Sequence, residues 1–124
     1  MIAGLGIDMI EVERVASKIS KESGFREMIF SAGEIAYCES KPNKFEHYAA
    51  RFAAKEAFFK ALGTGWLTGT AFNEVEITHN EDGQPCLSLL QQTADTIRSI
   101  GDFKILVSLT HLKAMASAVV ILEK

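Results

Sequence analysis

Residues Arg51–Gly65 read RFAAKEAFFKALGTG. As a helix, this stretch places one carboxylate, Glu56, in the middle of an apolar face. Phe45, Ala49, Phe52, Glu56 and Phe59 follow one another at steps of three or four residues, so they share one side of the cylinder. An ionised carboxylate is costly to bury unless it is paired, protonated or bound to metal. Lys60, at i+4, is an obvious partner. An exposed i,i+4 pair contributes only ~0.3–0.5 kcal/mol, so the position of Glu56 asks for a functional reason. The predicted helix spans Lys44–Leu62 and stops at Gly63. Lys41–Asn43, with Pro42, breaks the chain before it, and Gly63–Thr70, with three glycines and three threonines, reads as a loop after it.

Working outward, Ile2–Ile10 alternates as a strand. Ala3, Leu5, Ile7 and Met9 form its apolar face, while Gly4, Gly6 and Asp8 form the other. The two glycines beside an acid leave room over the backbone for a ligand or another chain. Val12, Val15 and Ile19 suit a helix over Glu11–Glu22 with Gly24 beyond its end. Ser31 and Glu34 form a capping-box pattern that opens a short helix to about Ser40.

Phe72–His79 reads as a strand with Val75 and Ile77 inward. Asp82-Gly83 signals a hairpin turn, with Pro85–Leu89 as the return. Gln91–Ile100 is helical and Gly101 closes it. Phe103–Leu109 and Met115–Leu122 are strands joined by a turn at Thr110–Lys113. Ala114, Ala116, Ser117 and Ala118 suit close packing, either within the chain or against another subunit. Grouped helices and largely antiparallel strands give an α+β class in a single domain over residues 1–124, a mainly antiparallel sheet with a helical cluster and one long helix.

Composition narrows the function. At 48% hydrophobic and 23% charged the chain is ordinary globular material, not a disordered tail. A net charge of −3 argues against general nucleic-acid binding. No apolar run is long enough for a membrane span and no signal-peptide pattern is visible, so a cytoplasmic location is expected. Cys38 and Cys86 lack CxxC spacing and read as reduced cytosolic thiols.

The chemistry-bearing residues each have a bland alternative. Asp8 is either a strand-end acid capping the next helix or a metal ligand. Two carboxylates with water and phosphate oxygens suit Mg²⁺, but spacing alone does not join Asp8 to Glu56. Lys60, Lys55 and Arg51 lie along one helix; Lys55 reads as a solvated side chain, and the others as candidates for phosphate charge. Gly63-Thr64-Gly65 follows Lys60 and could admit a polyphosphate to backbone N–H groups, though the P-loop order is absent. His47 and His79 read as structural or exposed, and His111, at a strand corner, as the better ligand contact. Arg14, Lys18 and Lys21 form a basic stripe, either a solvated face or a docking surface for an acidic helix, with Phe25 and Arg26 beyond it.

Four stretches carry a resemblance: GLGIDMIEVERV at 4–15, the central RFAAKEAFFKALGTG, EDGQPCL at 81–87 and SLTHLKAMASAVVIL at 108–122. Together, in this order and over nearly the full length, they resemble the holo-acyl-carrier-protein synthases, the small 4′-phosphopantetheinyl transferases. The resemblance implies that family's fold and a transfer of phosphopantetheine from coenzyme A to a serine of an apo-acyl carrier protein. Adenosine 3′,5′-bisphosphate would leave, and fatty acid biosynthesis would be served. It also implies Mg²⁺ and a homotrimer with active sites between subunits. Asp8 and Glu56 match the metal acids, and Lys60 the lysine at the phosphates; these three are the implied catalytic residues. Arg51, Lys60, Gly63, Gly65 and His111 match the coenzyme A cleft. Arg14, Lys18, Lys21 and Phe25 match the carrier-protein surface. Gln84 stands where relatives often carry lysine, which puts one peripheral coenzyme A contact in doubt. The serine proton would pass either to Glu56 or to a metal-bound hydroxide. Two rivals are weaker: a non-catalytic docking module has no use for the acids, and another Mg²⁺-dependent phosphoryl transferase has none for the basic helix.

Overall fold

The computed structural model describes residues 1–124. The order is β1 (Ile2–Glu11), α1 (Val12–Ser20), α2 (Phe25–Ile29), α3 (Ala32–Glu39), α4 (Lys44–Leu62), β2 (Val75–His79), β3 (Pro85–Leu89), α5 (Gln91–Ile100), β4 (Lys104–His111) and β5 (Met115–Glu123). Every strand pair is antiparallel: β1–β5–β4 form one sheet and β2–β3 a separate hairpin. This is the expected α+β arrangement.

Helix α4 is the axis of the molecule. It carries Ala49, Ala50, Ala53, Ala54, Ala57 and Ala61, strong helix formers with little bulk. Gly63, at φ 82°, ends it by donating its N–H to the Lys60 carbonyl at 3.0 Å. Two apolar clusters flank it. One includes Phe58, Phe59, Val75, Ile77, Ile97, Val120 and Leu122. The other includes Val12, Val15, Phe30, Tyr48 and Ala116.

The alanines let β1 approach α4 to backbone contact. A Cβ added at Gly6 would lie 1.9 Å from the Ala57 carbonyl oxygen, and one at Gly4 2.0 Å from that of Ala61. The space over the glycine face, expected to await a ligand or another chain, is therefore filled by the protein's own helix. The strand is inside out relative to simple hydrophobicity. Leu5, Ile7 and Met9 face solvent at 64%, 64% and 67% exposure, with Leu106 of β4 also exposed. On β5, Ala116 and Ala118 are buried in the α4 clusters, while the Ser117 hydroxyl donates to the Asp8 carbonyl at 3.0 Å.

The expected capping box at α3 is present: Ser31 Oγ accepts from Glu34 N–H at 3.2 Å, and Glu34 Oε1 accepts from Ser31 N–H at 2.9 Å. Several boundaries differ from expectation, among them β4, which runs on to His111 where a turn was expected from Thr110. Helix α1 stops at Ser20, and Glu22, at φ 52°, takes the left-handed turn expected of Gly24. Gly24, at φ 90°, instead opens α2, a helix of five residues and too short to show periodicity. Phe72–Glu74 forms a 3-10 turn, so the strand begins at Val75.

Candidate active site

Asp8 continues the face of β1 that carries Gly4 and Gly6, so the close packing that buries the glycines presents Asp8 to α4. Lys60 Nζ donates to Asp8 Oδ1 at 2.9 Å and to the Ile7 carbonyl at 3.0 Å. The expected ion pair between Lys60 and Glu56 is thus replaced by one between Lys60 and Asp8, because β1 comes within reach of the lysine tip. Glu56 has no ion-pair partner. Its carboxyl is pushed above the ordinary range, first by burial and then by the charge on Asp8; Lys60 and Lys18 pull it back in part. Fold alone joins this cluster: Lys60 and Asp8 are 52 residues apart.

Two neighbouring carboxylates and one ammonium form a compact site with hard oxygen donors. No group of three or more His, Cys, Asp or Glu side chains gathers anywhere on the chain to hold a metal. The donor set suits a hard cation that keeps water and substrate oxygens in its shell, which is how Mg²⁺ is commonly held. Part of the rise at Glu56 comes from the charge on Asp8, which a divalent cation would offset, so the residues present fit Mg²⁺.

A second site lies nearer the start of α4. A pocket of about 160 Å³ is lined by His47, Ala50, Arg51, His79, Gly83, Pro85, Leu109 and His111. Arg51 is 1% exposed, yet no carboxylate pairs with it. Its guanidinium lies 4.2 Å over the Tyr37 ring, Nη2 is 3.4 Å from His79 Nδ1, and buried Nε has no partner. A buried cation without its counter-charge is an anion site in waiting. His111 Nδ1 is 2.9 Å from Glu46 Oε1, and its ring meets His47 at 5.1 Å. Burial lowers His47, helped by His111, Arg51 and Lys41; burial also lowers His79, helped by Arg51 and Lys41. Both shifts favour the neutral imidazole. The two histidines were expected to be structural or exposed, yet they line this pocket. The four-residue step from His47 to Arg51 on α4 was the available signal.

The structure brings Asp8, Glu56 and Lys60 together and places Arg51 with His111 elsewhere; the pocket shares no lining residue with the acid cluster. Gly63 and Gly65 lie exposed in the loop after α4, and the Gly63 N–H is already used in capping. Arg14 and Lys18 are exposed on α1 and Lys21 just past its end, and Lys18 Nζ sits 5.5 Å from the centre of the half-buried Phe25 ring. Gln84 is exposed, its Oε1 accepting from Asn80 Nδ2 at 3.1 Å. The expectation for Lys55 is wrong: it is fully buried, bonded to Glu34 Oε1 at 2.7 Å.

The family model for the 4′-phosphopantetheinyl transferase superfamily matches residues 4–115. The chain belongs to this superfamily. A holo-[acyl-carrier-protein] synthase of Cytophaga hutchinsonii is 44% identical over 126 aligned residues, covering 100% of this chain and 99% of that one. One from Solibacter usitatus is 45% identical over 124, covering 99% of each. Among solved structures, the synthase of Neisseria meningitidis superposes with a TM-score of 0.91 at 28% identity, covering 100% of both chains. A Bacillus anthracis synthase in complex with CoA (3′,5′-ADP) gives 0.81 at 32% identity, covering 98% of this chain and 96% of that one. The transferase thus has the synthase fold and is an enzyme of the holo-[acyl-carrier-protein] synthase group. No helix in it is long and apolar enough to cross a membrane.

Proposed function

We propose that this single-domain enzyme moves 4′-phosphopantetheine from coenzyme A to a serine hydroxyl of an apo-acyl carrier protein. The new bond joins the serine oxygen to the phosphorus bearing the pantetheine, and the bond from that phosphorus to the bridging oxygen breaks. Adenosine 3′,5′-bisphosphate leaves. The observation that carries the reading is the Asp8–Glu56–Lys60 cluster on the contact between β1 and α4.

In this reading Asp8 and Glu56 hold Mg²⁺, which supplies charge neutralisation at the pyrophosphate. Lys60 uses two of its three N–H donors on Asp8 and Ile7, leaving one to donate to a phosphate oxygen. A carboxylate has two oxygens, so Glu56 can receive the serine proton on the one not turned to the cation. Arg51, with His111, takes the phosphorylated nucleotide end of coenzyme A, and the Gly63–Gly65 loop lies along the cleft. Arg14, Lys18, Lys21 and Phe25 receive the acidic helix of the carrier. The charge of Lys18 is the last of those that act on Glu56, which supports a docking face beside the acids.

The separation of the Arg51 pocket from the acid cluster supports a homotrimer in which a neighbour's pocket completes each site. The exposed Leu5, Ile7 and Met9 beside Asp8 offer the apolar face for it. The free thiols of Cys38 and Cys86 fit a cytoplasmic enzyme serving fatty acid synthesis. The test is to mix the protein with coenzyme A, Mg²⁺ and an apo carrier, then weigh the carrier. The expected result is one added phosphopantetheine with the wild type and almost none with Asp8→Ala or Glu56→Ala. Near wild-type transfer by either folded variant would refute the site.

A further inference from the structure

Lys55 and Glu34 form a buried ion pair outside the chemistry described above; both side chains are 0% exposed. Lys55 Nζ donates to Glu34 Oε1 at 2.7 Å, to the Phe72 carbonyl at 2.9 Å and to the Val75 carbonyl. All three ammonium donors are used. Glu34 Oε1 also accepts from Ser31 N–H, and Oε2 accepts from Ile77 N–H, each at 2.9 Å. Ser31 Oγ then donates to Glu76 Oε2 at 2.7 Å.

The bonded backbone groups explain the choice of a charged pair. Strand β2 has only β3 as a strand neighbour, so its other edge has no ladder. Val75 and Ile77 are two apart and point their polar groups to the same edge. Lys55 supplies the donor for Val75, and Glu34 supplies the acceptor for Ile77. Together they stand in for the missing strand. An apolar pair of equal volume could pack as well, yet would leave these buried groups unbonded.

The same hairpin carries His79, Gly83 and Pro85 to the wall of the Arg51 pocket. Arg51 and Lys55 are one helical turn apart on α4, so His79 beside Arg51 and Ile77 beside the ion pair are successive stitches along one seam. We propose that Lys55 and Glu34 are positioning residues for substrate binding: they seal the free edge of β2 and so hold the hairpin wall against Arg51. This rests on the reading that the Arg51 pocket takes the nucleotide end of coenzyme A.

The test compares wild type, Lys55→Met/Glu34→Gln, Glu34→Gln alone and Arg51→Met. Glu34→Gln keeps shape and one acceptor oxygen, and the double variant also removes the Lys55 charge that the single one leaves unpaired, so each serves if the other does not fold. Transfer kinetics are read with coenzyme A and an apo carrier, and amide hydrogen exchange is read on the free proteins. The expected result for both edge variants is an increase of about tenfold or more in KM for coenzyme A, with kcat and the KM for carrier near wild type. Exchange should quicken at the β2–β3 amides while β4–β5 amides keep their protection. Unchanged KM for coenzyme A in a folded edge variant, or protection lost equally across both sheets, overturns the proposal and leaves a purely structural pair. If Arg51→Met raises KM and the edge variants do not, positioning fails while the nucleotide reading stands. If Arg51→Met also leaves KM unchanged, both fail.

Discussion

Replacing Gly6 with alanine tests the contact that assembles the site. The new Cβ would sit 1.9 Å from the Ala57 carbonyl oxygen and 2.7 Å from the Ala61 nitrogen, where ordinary contact begins at 3.4 Å. Both are backbone atoms of α4, so no rotamer change relieves the clash. Strand and helix must separate by an amount on the order of 1 Å. Overpacking of this kind costs about 1–3 kcal/mol, occasionally more, and a rigid backbone obstacle points to the upper end. Asp8 lies two residues further along the same face, so it moves away from Lys60 and Glu56 with the strand. A misplacement of about 1 Å in a reacting group can lower the rate by about 100-fold. The assays are urea unfolding and mass analysis of the carrier at saturating coenzyme A. Gly101→Ala is the control. Its Cβ meets only the tip of the Phe103 ring, at 2.8 Å, which can swing aside; a cost below about 1 kcal/mol and unchanged turnover are expected. Adding Ala57→Gly to Gly6→Ala should not rescue activity, since the obstacle is the carbonyl and not the methyl. Wild-type stability and turnover in Gly6→Ala, or rescue by Ala57→Gly, would refute the reasoning.

Three further outcomes follow from the site and its surroundings. Glu56→Gln should be more stable than wild type near pH 8, and the difference should close near pH 4. A carboxyl whose folded pKa is raised contributes stability below its ordinary value of 4.5 that is lost as pH rises through the folded value, and glutamine escapes that loss. Thermal melts across pH check this, and added Mg²⁺ should raise the Tm of wild type but not of the variant. Ile7→Glu, on the exposed face of β1 at 64% exposure, should give a folded monomer with little transfer activity; sedimentation at micromolar concentration showing an unchanged trimer would exclude that face as the interface. Arg14→Glu should raise the KM for carrier and leave that for coenzyme A unchanged. Rising salt should slow wild type more than the variant, since such steering is screened within a Debye length of ~8 Å at physiological ionic strength.

The parts of the fold legible in the sequence were those fixed by local chemistry. Gly63 stops α4, the Ser31–Glu34 box starts α3, and both work within one helical turn. The misreadings share a different cause. The glycine face of β1 read as room for a ligand or another chain, because two glycines offer no side chain to pack. The structure buries the glycines because α4 offers a surface of alanine and bare backbone that only a strand without side chains can approach so closely. Lys55 and Lys60 look alike on one helix. Their fates diverge because Lys55 meets Glu34 and the unladdered edge of β2, whereas Lys60 meets Asp8; the partners are 21 and 52 residues away. No helical periodicity encodes those distances.

The inversion of β1 also ties the chemistry to assembly. Side chains alternate along a strand, so the register that points Gly4, Gly6 and Asp8 at α4 must point Leu5, Ile7 and Met9 outward. A slip by one residue would bury the apolar side chains but remove Asp8 from Lys60 and set a side chain against the Ala57 carbonyl. The acid cluster therefore cannot form in this fold without an exposed apolar strand next to it. The Arg51 pocket lies apart from that cluster on the same chain. A neighbour seated on β1 would cover the apolar face and could bring its own pocket toward Asp8 in one step. Dissociation and loss of transfer should then coincide on dilution, with the unfolding of the monomer a separate event at higher denaturant.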